Sequence, residues 1–131
     1  MSELNLEPFA ARVYFSPQAG MPAGEGQKTL VKYLEAIAGK CDSGGDTVIG
    51  HIKAIVLFAD GAYFRIGVVS AKHPAETDGD ATADITNAKI TLNVLVYGLP
   101  RNRLQQIVQE SALELNKTCP GELQVIPVRL M

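Results

Sequence analysis

The feature that most constrains this sequence is the segment TVIGHIKAIVLFADGAYFRIGVVSA, residues 47–71, in which two β-rich runs flank Asp60 and Gly61. An Asp-Gly pair between two hydrophobic runs is the strongest short-range signal for a β-hairpin, because both residues tolerate the backbone angles of a tight turn. A two-residue turn at this pair places Ser70 opposite His51. The chain is therefore predicted to contain two long antiparallel strands.

With this pairing, both faces of the predicted hairpin are largely apolar. Two helices can cover only one face of a sheet, and a sheet with water on its second face alternates more cleanly between apolar and polar residues. The second face is therefore predicted to be covered by another copy of the chain, packed sheet to sheet or through an edge strand. A homodimer or a higher homo-oligomer is the expected state, and a different protein is the alternative partner.

Five further segments set the predicted order of elements. Residues 12–16 and 89–98 are rich in β-forming side chains, whereas residues 27–40 and 101–117 carry apolar residues at helical spacing. The segment ELQVIPVRL is predicted to be an edge strand, because Pro127 cannot donate a hydrogen bond to a neighbouring strand. The order β-α-β-β-β-α-β predicts an α+β fold of the ferredoxin-like type, a two-layer sandwich with an antiparallel or mixed sheet and two helices on one face.

The length of 131 residues predicts a single α+β domain that spans residues 1–131. Residues 1–11 are predicted to be a loose lead, as chain ends commonly are. Residues 72–88 are polar and acidic and have few large apolar side chains, which predicts an exposed, solvated loop. The alternative is a loop that orders over a partner. The loop lacks the residue spacing of an EF-hand calcium site.

Charge and composition exclude several classes of function. The net charge of −2 provides no basic field for nucleic acid, so no nucleic-acid partner is expected. No apolar run reaches the roughly 18 residues of a membrane span, and the first residues lack the apolar core of a signal peptide. A cytoplasmic protein without a membrane partner is therefore expected. Its two cysteines, Cys41 and Cys119, are expected to be reduced thiols, and they specify no metal.

The segment GMPAGEGQKTL, residues 20–30, resembles a phosphate-binding P-loop but departs from it at two positions. Lys28 and Thr29 match the last two positions of the motif G-x-x-x-x-G-K-[ST]. Pro22 and Gln27 stand where the two glycines belong, so one backbone donor is lost and a side chain obstructs the phosphate. The segment is therefore predicted to be a loop that enters a helix.

The segment IGHIKAI is unusual because two ionisable side chains, His51 and Lys53, lie on one side of an otherwise apolar strand. A half-buried lysine is costly unless it is paired or reaches water. Ser70 on the predicted partner strand and Thr91 and Asn93 on the next strand are expected to line the same polar pocket. Lys53 would bind an anion there, and His51 would carry a proton or a hydrogen bond. Alternatively, both side chains reach water from the end of the sheet and bond locally.

Residues 47–115 contain the runs IGHIKAIV and ITLNVLVYGL, which a hairpin joins and an amphipathic helix follows. Together they resemble the C-terminal α/β module of CobW-type GTPases, a family associated with the delivery of metal and cobalamin cofactors. The resemblance implies a stand-alone accessory module. GTP hydrolysis is not implied, because the P-loop motif is absent.

These observations favour a non-enzymatic, oligomeric accessory or binding module, which the resemblance links to metal or cobalamin cofactor metabolism. The lack of a nucleophile–base pair or a metal motif in the sequence supports a role without catalysis. The alternative is a domain that binds a small molecule or an anion in a pocket around His51 and Lys53, with weak enzymatic activity. No residue pattern specifies a cofactor.

Overall fold

The computed structural model describes residues 8–43, 46–81, 84–119 and 121–128. The elements in chain order are β1 (Phe9–Pro17), α1 (Ala23–Asp42), β2 (Val48–Phe58), β3 (Tyr63–Val68), β4 (Glu76–Gly79), β5 (Ala88–Tyr97), α2 (Arg101–Asn116) and β6 (Gly121–Pro127). The strands form one sheet of order β4-β3-β2-β5-β1-β6, in which every neighbouring pair is antiparallel. The predicted α+β class is confirmed.

One face of the sheet is packed against both helices, and the hydrophobic core lies between these two layers. The alternation is clear in β5, where Ile90 and Leu92 are buried while Lys89 and Thr91 are exposed. Helices α1 and α2 contact each other, and each also contacts strands of the sheet. Burial of alternate side chains on each strand is the pattern expected when only one face of an antiparallel sheet is covered.

The sheet has six strands rather than the five predicted, and its full order differs from that of a four-stranded ferredoxin-like sheet. The additional strand, β4, lies within residues 72–88, which were predicted to form a loop. Its sequence, ETDG, contains no apolar residue, and all four side chains are exposed, so it has no hydrophobic alternation to detect. The predicted lead of residues 1–11 is also too long, because β1 begins at Phe9; residues 1–7 lie outside the described residues.

The acidic segment is anchored to the helical layer at Ile85. This side chain is buried, and the Ile85 backbone N–H donates a 2.9 Å hydrogen bond to the carbonyl oxygen of Met21. The Ile85 side chain occupies the space that a Cβ on Gly26 of α1 would fill. The prediction of an exposed loop is therefore wrong at this point, because one large apolar residue holds the segment against α1.

The glycine-rich segment at residues 20–30 is the entry to a helix, as predicted. Helix α1 begins at Ala23, four residues earlier than the apolar periodicity indicated, so the positions that resemble a P-loop lie within its first turns. The Thr29 hydroxyl donates a 2.9 Å hydrogen bond to the carbonyl oxygen of Glu25 in the preceding turn. Pro22 immediately precedes the helix, where its missing N–H breaks no helical hydrogen bond.

The turn between β2 and β3 has three residues instead of two. The Phe58 N–H donates to the carbonyl oxygen of Ala62 at 2.9 Å, and the Gly61 N–H donates to the carbonyl oxygen of Phe58 at 3.0 Å. Gly61 has a φ of 91°, in the left-handed region that glycine adopts without strain. These features define a type I turn that ends in a glycine bulge. The Asp-Gly pair therefore predicts the position of the hairpin correctly, but it does not predict the length of the loop.

The longer turn shifts the predicted register of β3 by one residue. Lys53 is paired with Gly67, and Ile55 is paired with Arg65. Because side chains alternate along a strand, a shift of one residue moves every side chain of β3 to the opposite face. Phe64 and the other apolar residues of β3 consequently face the helices. The other face of the hairpin still exposes Ile55, Leu57 and Val69, but Lys53 and Arg65 lie among them. The premise that both faces are apolar therefore holds only in part, and homo-oligomerisation stays a prediction.

Strand β6 is an edge strand, as predicted, and its outer edge is largely occupied. The Leu123 N–H donates to Oδ1 of Asn116 at 2.7 Å, and Nδ2 of Asn116 donates to the Leu123 carbonyl oxygen at 3.0 Å. The Gly121 N–H donates to the carbonyl oxygen of Cys119 at 2.9 Å. Pro127 has no N–H to offer. The end of α2 therefore takes the place of a further strand beside β6.

Replacement of Ser111 by alanine is expected to raise the free energy of unfolding by about 1 kcal/mol, because a buried hydroxyl without a partner costs free energy. Ser111 is 1% exposed, and its Oγ has no hydrogen-bond partner among the described residues. Urea denaturation followed by circular dichroism measures the change. Tyr33→Phe is the contrasting control, since the buried Tyr33 hydroxyl donates to the Val108 carbonyl oxygen at 3.1 Å and its loss should destabilise the protein. Destabilisation by Ser111→Ala would show that the hydroxyl has a partner in solution.

Candidate functional site

The side of the sheet away from the helices, which we call the open face, carries polar, charged and apolar side chains in cross-strand rows. Ile55 and Leu57 on β2 are 50% and 49% exposed there. The strand registers give the row through Ile55 as Ile126, Arg12, Thr91, Ile55, Arg65 and Asp78. An open face of this composition offers both apolar contact and hydrogen-bond donors to a ligand.

A depression of about 450 Å³ lies on the open face between β5 and β4. Gly67 of β3 forms its floor, with Lys53 paired to it on one side and Glu76 paired to it on the other. A Cβ added to Gly67 would meet no atom within 4 Å. The depression therefore exists because β3 has no side chain at this position.

Three of the five predicted site residues line this depression, namely Lys53, Thr91 and Asn93. Asn93 is paired directly with Lys53, and Thr91 is paired with the neighbouring Ile55. They lie together because β2 and β5 are adjacent and because these positions have the same parity along their strands. Alternation along each strand was therefore sufficient to predict this part of the site.

The other two predicted site residues, His51 and Ser70, do not line the depression. His51 is half-buried on β2 and is paired with Leu95, next to a shift of register that marks a β-bulge at Gly50. Ser70 lies beyond the end of β3, and its Oγ accepts a 3.1 Å hydrogen bond from the N–H of Lys72. The predicted pairing of Ser70 with His51 is wrong, because it assumed the two-residue turn.

The sequence patterns did not identify three charged residues that line the depression, namely Arg65, Glu76 and Asp78. Nε of Arg65 lies 2.7 Å from Oδ1 of Asp78, and this hydrogen-bonded carboxylate raises the pKa of Arg65 further, so the guanidinium stays charged. Arg65 also lies over the ring of Tyr63, 5.6 Å from its centroid. The assumed register placed Arg65 on the other face, and the acidic pair belongs to a strand without apolar residues, so neither signal was available in the sequence.

Positive charge is concentrated on three neighbouring strands of the open face, namely β2, β5 and β1. Arg12 of β1, Lys89 of β5 and Lys53 of β2 lie there, and no carboxylate belongs to the open face of these strands. Within the described ranges, none of these three cations forms an ion pair. This surface is therefore positively charged although the chain as a whole has a net charge of −2. Such a surface attracts anionic groups.

The two cysteine thiols are poor candidates for chemistry. Cys41 is fully buried at the end of α1, and this burial raises the pKa of its thiol to about 11. Partial burial also raises the pKa of Cys119. Raised pKa values disfavour the thiolate, which is the form that attacks substrates and binds metals. In the part of the chain that the structure describes, no group of three or more His, Cys, Asp or Glu side chains is arranged to hold a metal ion.

Comparisons with known proteins identify no relative: no family model matches the chain, and no curated protein or solved structure is significantly similar to it. The resemblance of residues 47–115 to the CobW-type module therefore stays a prediction. Within the described residues, neither helix is both long enough and apolar enough to span a bilayer.

Proposed function

We propose that this protein is a non-enzymatic binding module that holds the anionic group of a small ligand in the depression on its open face. The observation that carries the proposal is the position of Lys53, which lines the depression beside Asn93 and has no ion-pair partner among the described residues. The volume of about 450 Å³ lies within the roughly 300–1,000 Å³ of small-molecule sites.

The lining residues supply the donors that an anion requires. The Lys53 ammonium offers a charge-assisted hydrogen bond, and the Asn93 amide and the Thr91 hydroxyl can donate beside it. Arg65 engages Asp78 through Nε and adds a second positive charge beside the depression. Among the described lining residues, no hydroxyl or lysine nitrogen is hydrogen-bonded to a carboxylate, which is the arrangement that activates a nucleophile.

The proposal extends to the fold that carries the site. Strands β2, β5, β1 and β6, with α1 and α2, would form a ferredoxin-like unit, to which β3 and β4 are added beside β2. Two facts support this: the four strands are neighbours in that order, and each helix joins parallel strands that are separated by one antiparallel strand. In this view the depression lies where the added strands meet the unit. The accessory role that the CobW-type resemblance implies requires only a binding surface, and the depression provides one.

The competing occupant of the open face is a second copy of the chain. A face-to-face pair would bring the central cations of the two copies towards each other, because the carboxylates of this face lie on its edge strands β4 and β6. Like charges that are desolvated together oppose association. Charge therefore favours an anionic ligand over self-association through this face.

The Lys53→Met variant is expected to bind anions about 10- to 100-fold more weakly than the wild-type protein, because it keeps the apolar stem but loses a charge-assisted hydrogen bond. Isothermal titration calorimetry with phosphate, acetate, succinate and citrate as probes measures the loss. The matched control is Lys32→Met, which removes an exposed lysine from α1 and should leave binding unchanged.

Two results would overturn the proposal. One is the absence of binding of every probe at millimolar concentration, and the other is equal binding by the wild-type protein and the Lys53→Met variant. Light scattering of both proteins tests the competing occupant. A wild-type dimer that changes its dissociation constant in the Lys53→Met variant would assign the open face to self-association instead.

A further inference from the structure

Opposite charges face each other across the floor of the depression. Lys53 and Glu76 are the residues paired with the two sides of Gly67, so a gap without a side chain separates them. Asp78 is hydrogen-bonded to Arg65, whereas neither Lys53 nor Glu76 forms an ion pair among the described residues. The depression therefore presents one cation and one carboxylate without partners.

The spacing of these two residues limits the size of a ligand that bridges them. Two strand spacings separate their Cα atoms by roughly 9.6 Å. Charge-assisted hydrogen bonds of about 2.8 Å at each end leave roughly 4 Å between the charged groups of the ligand, if both side chains stand upright from the sheet. A single carbon atom joins the two charged groups of an α-amino acid, which matches this short separation. The ionised ends of a peptide lie further apart.

We infer that the depression binds a free α-amino acid, with its carboxylate at Lys53 and its ammonium group at Glu76. This inference rests on the proposed function and specifies the class of ligand. The Asn93 amide lies beside Lys53 and can donate to the same carboxylate, while the half-exposed Ile55 borders the space left for the ligand side chain. Glu76 adds nothing to the affinity for a simple anion, and it contributes to affinity only if the ligand also carries a cation.

Calorimetry with the standard α-amino acids, tested one at a time, provides the first measurement. The amino acid that binds best is then compared with its N-acetyl derivative, which lacks the ammonium charge, and with its amide, which lacks the carboxylate. Each derivative is expected to bind at least tenfold more weakly than the free amino acid. Glu76→Gln should weaken binding of the free amino acid about tenfold without weakening binding of the N-acetyl derivative. Glu122→Gln, an exposed edge position on the same face, is the control.

Gly67→Val fills the depression and should abolish binding of the amino acid. The variant is expected to fold, because the backbone of Gly67 lies outside the left-handed region, a Cβ there meets no atom within 4 Å, and valine suits a strand. Circular dichroism and thermal denaturation check the fold. Unchanged binding by Gly67→Val would place the ligand elsewhere and overturn both this inference and the proposed function.

The remaining outcomes separate the two proposals. Equal affinity for the free amino acid and its N-acetyl derivative, together with sensitivity to Lys53→Met alone, would overturn the amino-acid inference and leave the anion site standing. Failure of every α-amino acid to bind, while succinate or phosphate binds, would likewise overturn the amino-acid inference and leave the anion site standing. Insensitivity of all binding to Lys53→Met would overturn both.

Discussion

The Gly98→Ala variant is expected to lose roughly 2–5 kcal/mol of unfolding free energy, from a strained backbone and from overpacking together. Gly98 has a φ of 97°, which disfavours any residue with a Cβ. A Cβ at this position would lie 2.4 Å from the carbonyl oxygen of Asp46, a backbone atom that cannot rotate away. Because Gly98 joins β5 to α2 beside the start of β2, relief of the contact would disturb the sheet and the helix together.

Gly39→Ala is the matched control for this substitution. Gly39 lies in α1, and a Cβ there would meet no atom within 4 Å, so alanine should stabilise the protein by about 0.5–1 kcal/mol through helix propensity. Urea denaturation of both variants measures the difference, and the ligand experiments on the open face are independent of it. A Gly98→Ala variant as stable as the wild-type protein would contradict the close backbone approach.

Raising the pH from about 9 to 11 is expected to destabilise the protein by roughly 2–3 kcal/mol through Cys41 alone, at about 1.4 kcal/mol per unit of pKa shift. Burial raises the pKa of this thiol to about 11 in the folded state, whereas an unfolded thiol ionises near pH 8.5. The contribution is therefore fully present below the unfolded pKa and is lost as the pH rises through the folded pKa. Burial also raises the pKa of Tyr33, which extends the loss to higher pH.

The Cys41→Ala variant tests the origin of this alkaline sensitivity. Its unfolding free energy should fall less steeply between about pH 9 and 11 than that of the wild-type protein, whatever its absolute stability. Cys119→Ala should change the slope less than Cys41→Ala does, because the Cys119 thiol is only partly buried. Urea denaturation at several pH values under reducing conditions measures the slopes. An unchanged slope in Cys41→Ala would show that Cys41 is not buried as a neutral thiol.

The sequence contained enough information for the helices, for most strands and for half of the site, because these depend on periodicity. The apolar spacing in residues 27–40 and 101–117 identified both helices, although α1 begins earlier. The shared parity of Lys53 with Thr91 and Asn93 on neighbouring strands predicted that these side chains lie together. Periodicity fixes which side chains share a face of one element, and short-range patterns suffice for that.

The missed features depend on how elements meet, which local patterns do not encode. The position of Arg65 on the open face follows from one extra residue in the turn, and the Asp-Gly pair is compatible with either turn length. Glu76 belongs to a strand whose four exposed residues include no apolar side chain. The role of Gly67 as the floor of the depression depends on which strands lie on its two sides, and the sequence does not specify these neighbours. The carboxylate half of the proposed ligand site could therefore not be predicted from the sequence.

The outer edge of β6 has a consequence for how copies of this chain can assemble. Asn116, the end of α2 and Pro127 occupy or remove most of the outward-facing donors of that strand, so few donors remain there for pairing with another strand. Strand β4 forms the opposite edge of the sheet. A protein with a single extendable edge can add one copy of itself about a twofold axis and then has no edge left. Fibrous growth by head-to-tail strand addition is thus disfavoured, and assembly by this route is expected to end at two chains.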